Sequence, residues 1–406
     1  MSSSILLRNA RQLLTLHGPP EARRGAELRN LEIIQDGALL IENGHITEIG
    51  STRRVENLVQ ARNAREIDAT GQIVMPGFVD CHTHLVCGST SLGGQNGMAA
   101  VHGESTRRMG ARARQIVHGM VRHGTTTVEA KSGYGLDAAT ELKTLRALRD
   151  LHQNPIDIVS TVLTPRVPPT HERDTDALLE WACTELLARV KRRGWARFAD
   201  FSCAERIFTV AQCRRYLETA RGLGFLLKVH ADGPQPGAYA AVGVSLEAAS
   251  VDHLEDAGAD AVELLARART IAVLLPAKSL NPGRLAPARQ FIDAGAAVAL
   301  GTNCDPVCSP GYSMQTVVAL ACACLGMTPA EAICAATFNA ACAIGCGHQT
   351  GSLEVGKIGD VIVLDAADYR EIPSRLGVNQ VRTTIKRGAI VYQQGKVGAD
   401  SRPALV

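Results

Sequence analysis

Short apolar runs recur through the middle of the chain, and amphipathic stretches separate most of them. Eight runs rich in Val, Ile, Leu, Ala and Thr follow one another: IVMPGFVDCHTH, TTTVEAKSG, IDIVSTVL, FADFSCAE, FLLKVHAD, EAASVDHLE, TIAVLLPA and AAVALGTNCD. Intervening segments such as ATELKTLRALRDLH have the apolar spacing of helices packed on one face. This alternation predicts a parallel sheet with crossover helices. Eight units over about 240 residues favour a closed (β/α)8 TIM-like barrel over an open sheet.

Both chain ends have a different pattern, in which apolar and polar residues alternate in short stretches. SILLRNA and GALLIENGHITEIG stand near the beginning, and GDVIVLD and RTTIKRGAIVYQQGK stand near the end. Asn43-Gly44 between two such stretches is a typical hairpin turn. We therefore predict a small β-sandwich domain built from residues 1–70 and 350–406, with the barrel at 71–349.

Composition narrows the class of partner. The chain has 406 residues, 46% hydrophobic and 20% charged, with a formal net charge of +3. This near-neutral balance indicates neither nucleic acid nor membrane as a partner, and no run approaches the roughly 20 apolar residues of a membrane span. The first residues do not resemble a secretory signal. We therefore expect a cytoplasmic enzyme with a small-molecule substrate, whose twelve cysteines are reduced.

Polar side chains concentrate where the eight runs end, which is where barrel enzymes place their active residues. His82 and His84 are two apart on an extended strand, so both imidazoles lie on the same face and can bind one divalent ion. His230 and His253 end two later runs. We predict metal ligation by His82, His84 and His230, with zinc as the first choice for nitrogen ligands and iron as the second.

A metal with three histidine ligands and an open position lowers the pKa of a bound water, which can then attack a ring carbonyl or amidine carbon. His253 could serve as a fourth ligand, or as a general acid/base beside the ion. The residues alone leave both roles open.

Several longer segments resemble the imidazolonepropionase family of the amidohydrolase superfamily. They are PGFVDCHTHLV, VEAKSGYGL with ELKTLR, KVHAD, DHLE, AVLLP, APARQFIDAGAAVALGTN and SLEVGKIGDVIVLD. The resemblance implies opening of an imidazolone-propionate ring in histidine degradation. It also implies metal ligation by His82, His84 and His230, a catalytic His253, a substrate contact from Tyr134, and a homodimer.

Four positions depart from that family's pattern. Asn303 stands where the family has an aspartate ligand, and Gly233 where it has a glutamate. Pro165 or Arg166 replaces a substrate-binding histidine, and the loop at 86–90 lacks an arginine. Asn303 stays among the catalytic candidates because of its position, although a neutral amide binds a cation more weakly than a carboxylate and cannot accept a proton.

Other residues near the strand ends could take over the lost roles. Asp305 and Asp232 are the nearest carboxylates in sequence, and we expect Asp305 to be catalytic. Glu205 is a candidate polar anchor for substrate. Arg166 and Arg284 are candidates for binding a substrate carboxylate.

These departures leave three hypotheses for function. The first is hydrolysis of a five-membered imidazolone or hydantoin-type ring that carries a propionate arm. The second is loss of sulfide from the corresponding thio ring, as in ergothioneine breakdown, because sulfide leaves more easily than an amine. The third is a relative that binds a ligand without turnover. A purine-type deaminase is less favoured, because the HxxE pattern expected after the fifth strand is missing.

Overall fold

Two eight-stranded sheets organise the protein. Its structure, a computed structural model, describes residues 4–86, 101, 103–135, 137–165, 175–203, 208–231, 236–280, 284–306, 309 and 311–395. The strands within these ranges are β1 (Ser4–Leu14), β2 (Ile33–Glu42), β3 (His45–Ser51), β4 (Arg65–Asp68), β5 (Ile73–Pro76), β6 (Phe78–Asp80), β7 (Thr125–Lys131), β8 (Asp157–Leu163), β9 (Phe198–Ser202), β10 (Leu226–His230), β11 (Ser250–Asp252), β12 (Ile271–Leu274), β13 (Val298–Leu300), β14 (Val361–Leu364), β15 (Val381–Lys386) and β16 (Ala389–Gln393).

Helices connect the barrel strands and cover the sheet. Their bounds are Thr52–Val55, Thr106–Arg122, Ala138–Leu151, Thr175–Trp181, Leu187–Arg193, Val210–Gly222, Pro236–Ser245, Ala259–Arg267, Pro276–Leu280, Ala288–Asp293, Met314–Cys324, Pro329–Ala335, Phe338–Ala343 and Glu371–Ser374. A π-helical turn joins the fourth and fifth of these, and two 3-10 turns lie near the beginning of the chain. Among the described residues, none of these helices is long and apolar enough to cross a bilayer.

The strands β6 to β13 form the barrel. They pair in parallel and in chain order, and each lies inside one of the eight apolar runs, so the predicted TIM-like barrel is confirmed. The two end strands meet just beyond β6 and β13, where the Asn303 N–H donates to the His82 carbonyl at 3.0 Å and the His84 N–H donates to the Cys304 carbonyl at 2.8 Å. Asp80 strengthens this seam by accepting hydrogen bonds from the backbone N–H and the hydroxyl of Thr302.

The predicted small β domain from both chain ends is also present. Its strands form one mixed sheet in the order β16-β15-β14-β5-β1-β2-β3, with β4 paired to β1. Asn43 and Gly44 form the turn between β2 and β3 with φ of 51° and 83°, as the hairpin signal predicts. Because β5 pairs with β1 and β14 in this sheet, we propose that the barrel begins after Pro76 rather than at residue 71.

Buried ion pairs join the two sheets. Asp157 on β8 lies 2.8 Å from the Lys386 ammonium and 2.7 Å from the Arg387 guanidinium, both at the end of β15. Lys386 also pairs with Asp360 at 2.6 Å. Burial opposes ionisation of Asp157, but the neighbouring cations outweigh it and lower the pKa of its carboxyl group. These ion pairs thereby attach β8 of the barrel to the sheet formed by the chain ends.

Gly77 is the single residue between β5 of the chain-end sheet and β6 of the barrel, and we expect protein stability to be sensitive to its substitution. A methyl group on Gly77 would overlap the side chain of Thr126 on β7. We expect Gly77→Ala to lower the free energy of unfolding by about 1–3 kcal/mol through overpacking. Gly110→Ala is the matched control, because that helical glycine has nothing within 4 Å of the added methyl and should gain about 0.5–1 kcal/mol. Chemical denaturation measures both, and equal stabilities would contradict the packing argument.

Candidate active site

Four histidines converge at the carboxyl ends of three barrel strands. His82 and His84 follow β6, His230 ends β10, and His253 follows β11. The ring centroid of His82 lies 4.6 Å from that of His230 and 5.0 Å from that of His253, and the last two are 5.0 Å apart. Ring nitrogens of these three residues all lie within 4.8 Å of one another, close enough to share one ion.

His84 is adjacent to this set of three but outside it. Its ring centroid lies 5.4 Å from that of His82 and 6.0 Å from that of His230. On its other side the ring meets Tyr134 edge to face at 5.6 Å. The predicted pair of imidazoles on one strand therefore exists, and the most compact group of nitrogens includes His253.

Two buried carboxylates stand behind these imidazoles. Nδ1 of His82 is hydrogen-bonded to Oδ2 of Asp252 at 2.6 Å, whereas Nδ1 of His230 lies 3.0 Å from Oδ2 of Asp200 without the geometry of a hydrogen bond. Carboxylates in this position orient imidazole ligands and increase their basicity. The Nε2 atoms of His82 and His230 are buried, and no hydrogen-bond partner for them exists among the described residues.

Burial lowers the pKa of both His82 and His230 well below the usual value, and the Lys131 ammonium nearby acts in the same direction. Both imidazoles are therefore neutral near pH 7 and have a lone pair available. Neutral, unpartnered nitrogens at this separation are what a divalent metal ion requires, so the donor set fits such an ion.

A buried ionic network extends from these carboxylates into the barrel. Lys131 on β7 contacts Asp200 at 2.7 Å, Glu129 at 2.8 Å and Asp252 at 3.5 Å. Lys228 on β10 lies 3.3 Å from Glu129 and 3.6 Å from Asp252. All five side chains have no exposed surface. The network thus sets three carboxyl groups against two ammonium groups, and burial raises the pKa of one of these acids, Asp200.

Two members of this network, Lys131 and Asp252, have their charged forms favoured by the neighbouring groups. Burial opposes the charged form of Lys131, yet Asp200, Glu129 and Asp252 outweigh it and raise its pKa. Burial likewise opposes ionisation of Asp252, but Lys228 and Lys131 hold its pKa below the usual value. The carboxylate behind His82 thus stays ionised.

This network was not predicted from the sequence, although a signal for it was present. Glu129 and Lys131 alternate along one strand, and Lys228 is two residues before His230 on another. Side chains two apart on a strand share a face, so each lysine lies on the same side of its strand as a chemically important residue. Charged residues inside apolar runs were the available indication.

The backbone at two strand ends is in the left-handed region. His253 has φ of 61° and Asn303 has φ of 53°, conformations that cost energy for residues with a Cβ atom. Both residues are buried. Such strain at the carboxyl end of a barrel strand is typical of functional positions.

Asp305 and Tyr134 form a buried pair on the His84 side of the cluster. The Tyr134 hydroxyl donates to Oδ2 of Asp305 at 2.7 Å. A carboxylate therefore follows β13, the eighth strand of the barrel, but it stands two residues after Asn303. Tyr134 thus lies beside His84 and is hydrogen-bonded to Asp305, while the catalytic role of Asp305 and the substrate contact of Tyr134 stay predictions.

The remaining candidates from the sequence include four residues that lie outside the described part of the chain: Glu205, Arg166, Asp232 and Gly233. Arg284 is exposed and binds both carboxylate oxygens of a surface aspartate, Asp256, at 2.8 and 2.9 Å. Arg284 therefore has a carboxylate partner at the surface, and its contact with a substrate carboxylate stays a prediction.

Comparison with known proteins agrees with this geometry. Residues 73–391 match the model of the Amidohydrolase family. The chain is 40% identical to the imidazolonepropionase of Parabacteroides distasonis, over 96% of this chain and 99% of that protein. It is 38% identical to the imidazolonepropionase of Brevibacillus brevis, over 98% of this chain and 100% of that protein. Among solved structures it superposes on A. niger ochratoxinase with a TM-score of 0.75, 19% identity and 99% coverage of both chains.

The chain belongs to the amidohydrolase family. The resemblance to imidazolonepropionases is confirmed over nearly the whole length. The protein is a metal-dependent hydrolase that acts on the carbon–nitrogen bonds of cyclic amides, and its buried histidine and aspartate group could hold the metal ion.

The carboxylate behind His82 gives a prediction for metal binding. Asp252→Asn should weaken metal binding about 10- to 100-fold, because the amide neither orients the imidazole as strongly nor raises its basicity. Asp157→Asn is the control, since it neutralises an acid between the two sheets, away from the histidines. Competition with a chromogenic chelator measures the affinity. Equal metal affinity in the two variants would contradict the role of Asp252.

Proposed function

We propose that this protein hydrolyses a five-membered imidazolone ring that carries a propionate arm. The observation that carries the proposal is the convergence of buried, neutral imidazoles supported by Asp252 and Asp200. It occurs in a chain 40% identical to a curated imidazolonepropionase. We further propose His82, His84 and His230 as the metal ligands.

The donor set favours zinc, because neutral imidazole nitrogens suit this ion, and iron is the second choice. When bound, such an ion polarises an amide carbonyl and makes water nucleophilic near neutral pH. The protein's own part is to fix the imidazoles through Asp252 and Asp200 and to keep the surroundings of the site dry. The buried ionic network serves both purposes, since its members leave no side-chain surface to solvent.

His253 has the position of a proton-handling group. Its nitrogens lie within 4.8 Å of those of His82 and His230, and its Nδ1 is 3.7 Å from a Glu255 carboxylate oxygen. A histidine there can take the proton of the attacking water and pass it to the ring nitrogen as the carbon–nitrogen bond breaks.

Asp305 and Tyr134 supply the second polar group of the site. Asn303 cannot accept a proton, whereas Asp305 can, and its hydrogen bond to Tyr134 fixes both side chains near His84. We propose that this pair contacts the ring's polar edge. Glu205 and Arg166 are proposed to bind the polar arm of the substrate, and the homodimer expected from the resemblance is proposed as well.

One observation favours a second substrate, the thio analogue of the ring. Asn303 follows β13 where the imidazolonepropionase pattern has an aspartate, and its neutral amide removes a proton acceptor. Addition of water at a thiocarbonyl carbon followed by loss of hydrogen sulfide demands less proton transfer to the leaving group than expulsion of an amine does. The product of that step retains the ring as the oxo compound.

Paired substrates test the proposed function directly. The oxo and thio rings, each with the propionate arm, are incubated with the metal-loaded protein, and products are followed by mass and by sulfide release. We expect the oxo ring to gain one water and open. Sulfide release from the thio ring with an unopened oxo ring would select the second substrate. No turnover of either by metal-replete protein would contradict both proposals.

Substitution of His253 separates catalysis from metal binding. We expect His253→Ala to retain its metal and to lower kcat about 10²- to 10⁴-fold, the range for loss of a general acid/base. His230→Ala is the reference for loss of metal, and His118→Ala, at an exposed helical position, is the control for histidine removal. Metal analysis and steady-state kinetics provide the readout. Loss of metal equal to that of the reference would assign His253 as a ligand instead.

Substitutions at Asp305 and Asn303, both of which follow β13, test whether the position of the carboxylate matters. We expect Asp305→Asn to lower kcat/KM about 10- to 100-fold, because a neutral amide replaces the carboxylate that accepts from Tyr134. Adding Asn303→Asp to this variant preserves net charge and shifts the carboxylate by two residues. Kinetics on both rings compare the variants. Unchanged kcat/KM in Asp305→Asn would contradict the proposed role.

A further inference from the structure

The loop that follows β7 carries Tyr134 between two glycines. Lys131 ends the strand inside the buried ionic network, and the loop continues through Ser132, Gly133, Tyr134 and Gly135. The tyrosine reaches both the histidines and Asp305 from this loop. The position of the Tyr134 phenol beside these residues therefore depends on how firmly the loop backbone is held.

A buried carboxylate accepts hydrogen bonds from this loop on both sides of the tyrosine. Oε2 of Glu141 accepts the N–H of Gly133 at 2.9 Å, and Oε1 accepts the N–H of Gly135. Glu141 has no exposed surface. The backbone N–H groups of the two glycines on either side of Tyr134 are thus bound by the two oxygens of one side chain.

Local structure directs Glu141 toward the loop. The Asp137 carboxylate accepts the N–H of Thr140 at 2.7 Å and begins the helix Ala138–Leu151. Glu141 lies one turn into this helix, near its positive end. Gly133 has φ of 105°, and a methyl group on Gly135 would come within 2.7 Å of the Glu141 carboxylate, so both glycines are needed for the close approach.

The charge balance argues against a purely structural contact. Within the part of the chain that the structure describes, no lysine or arginine forms an ion pair with Glu141, and burial raises its pKa to about 7. A buried carboxyl group without a cation is costly. Ser or Asn can satisfy backbone N–H groups in a loop at less cost, but they lack the reach and the second oxygen needed to span both flanks of Tyr134.

We propose that Glu141 is a positioning residue for Tyr134: by binding the peptide groups on either side, it fixes where the phenol stands beside His84 and Asp305. The proposal rests on the proposed function only in taking Tyr134 to contact substrate. It also accounts for the joint occurrence of SGYGL and ELKTLR in the sequence, because the second segment supplies the carboxylate that holds the first.

A double-mutant cycle tests this role. Glu141→Gln keeps the shape of the side chain but places an amide donor against a backbone N–H. We expect it to lower kcat/KM about 10- to 100-fold, the effect of a misplaced contact group, with metal content unchanged. In the Tyr134→Phe background the same substitution should cost less than about twofold, because its effect passes through the tyrosine hydroxyl. Losses that multiply in the double variant would overturn the proposal.

Glu331→Gln is the matched control. Glu331 is equally buried and its carboxylate also accepts a backbone N–H, that of Thr328 at 2.8 Å, but it belongs to the capping of the helix Pro329–Ala335. Unlike Glu141, it also forms ion pairs, with Arg29 and Arg289. It should leave kcat/KM within about twofold of wild type whatever its effect on stability. A similar loss of kcat/KM in the two variants would show a general effect of buried carboxylates and overturn the proposal.

Two further measurements do not depend on the substrate or on one variant. Amide hydrogen exchange should be faster for residues 132–135 in Glu141→Gln than in wild type, and unchanged there in Glu331→Gln. Gly135→Ala reaches the same contact from the loop side and should reproduce both the faster exchange and the kinetic loss. Unchanged exchange in both loop variants would overturn the proposal, whereas faster exchange without turnover of either ring by wild type would contradict only the proposed function.

Discussion

Charge buried inside the barrel is the constraint on which the candidate site depends. Asp252 and Asp200 stand directly behind His82 and His230, and lysines on two strands keep these acids tied into one network. Isolated ions at such depth would be too costly to retain. Their mutual contacts within one network offset this cost, and they place carboxyl groups directly behind imidazoles that burial keeps neutral.

The closed sheet makes this arrangement possible. Strand ends that are far apart in sequence share one rim, and the seam between β6 and β13 is bridged through His82 and His84 themselves. The histidines are therefore part of barrel closure as well as of the site. Two other features likewise cost stability locally and fix side chains. The backbone is strained at His253 and Asn303. The buried carboxylate of Glu141 binds the loop that carries Tyr134.

Much of this could be predicted from the sequence, for physical reasons that differ by feature. The barrel followed from the alternation of runs and helices, and the shared face of His82 and His84 followed from strand periodicity. The ionic network could not be derived, because its members come from strands whose register and neighbours are fixed only on closure. The same holds for the compact grouping of His253 with His82 and His230, and for the pairing of β5 with the chain-end sheet rather than the barrel.

The central claim is that carboxylate-backed imidazoles hold a metal ion at the rim of the barrel. Anomalous diffraction from crystals of the zinc-loaded protein, recorded on both sides of the zinc absorption edge, measures this most directly. The account predicts an anomalous peak about 2.0–2.1 Å from Nε2 of His82 and of His230, with Nδ1 of each still on its aspartate. A zinc peak elsewhere, with these two Nε2 atoms bound to no ion, would contradict it.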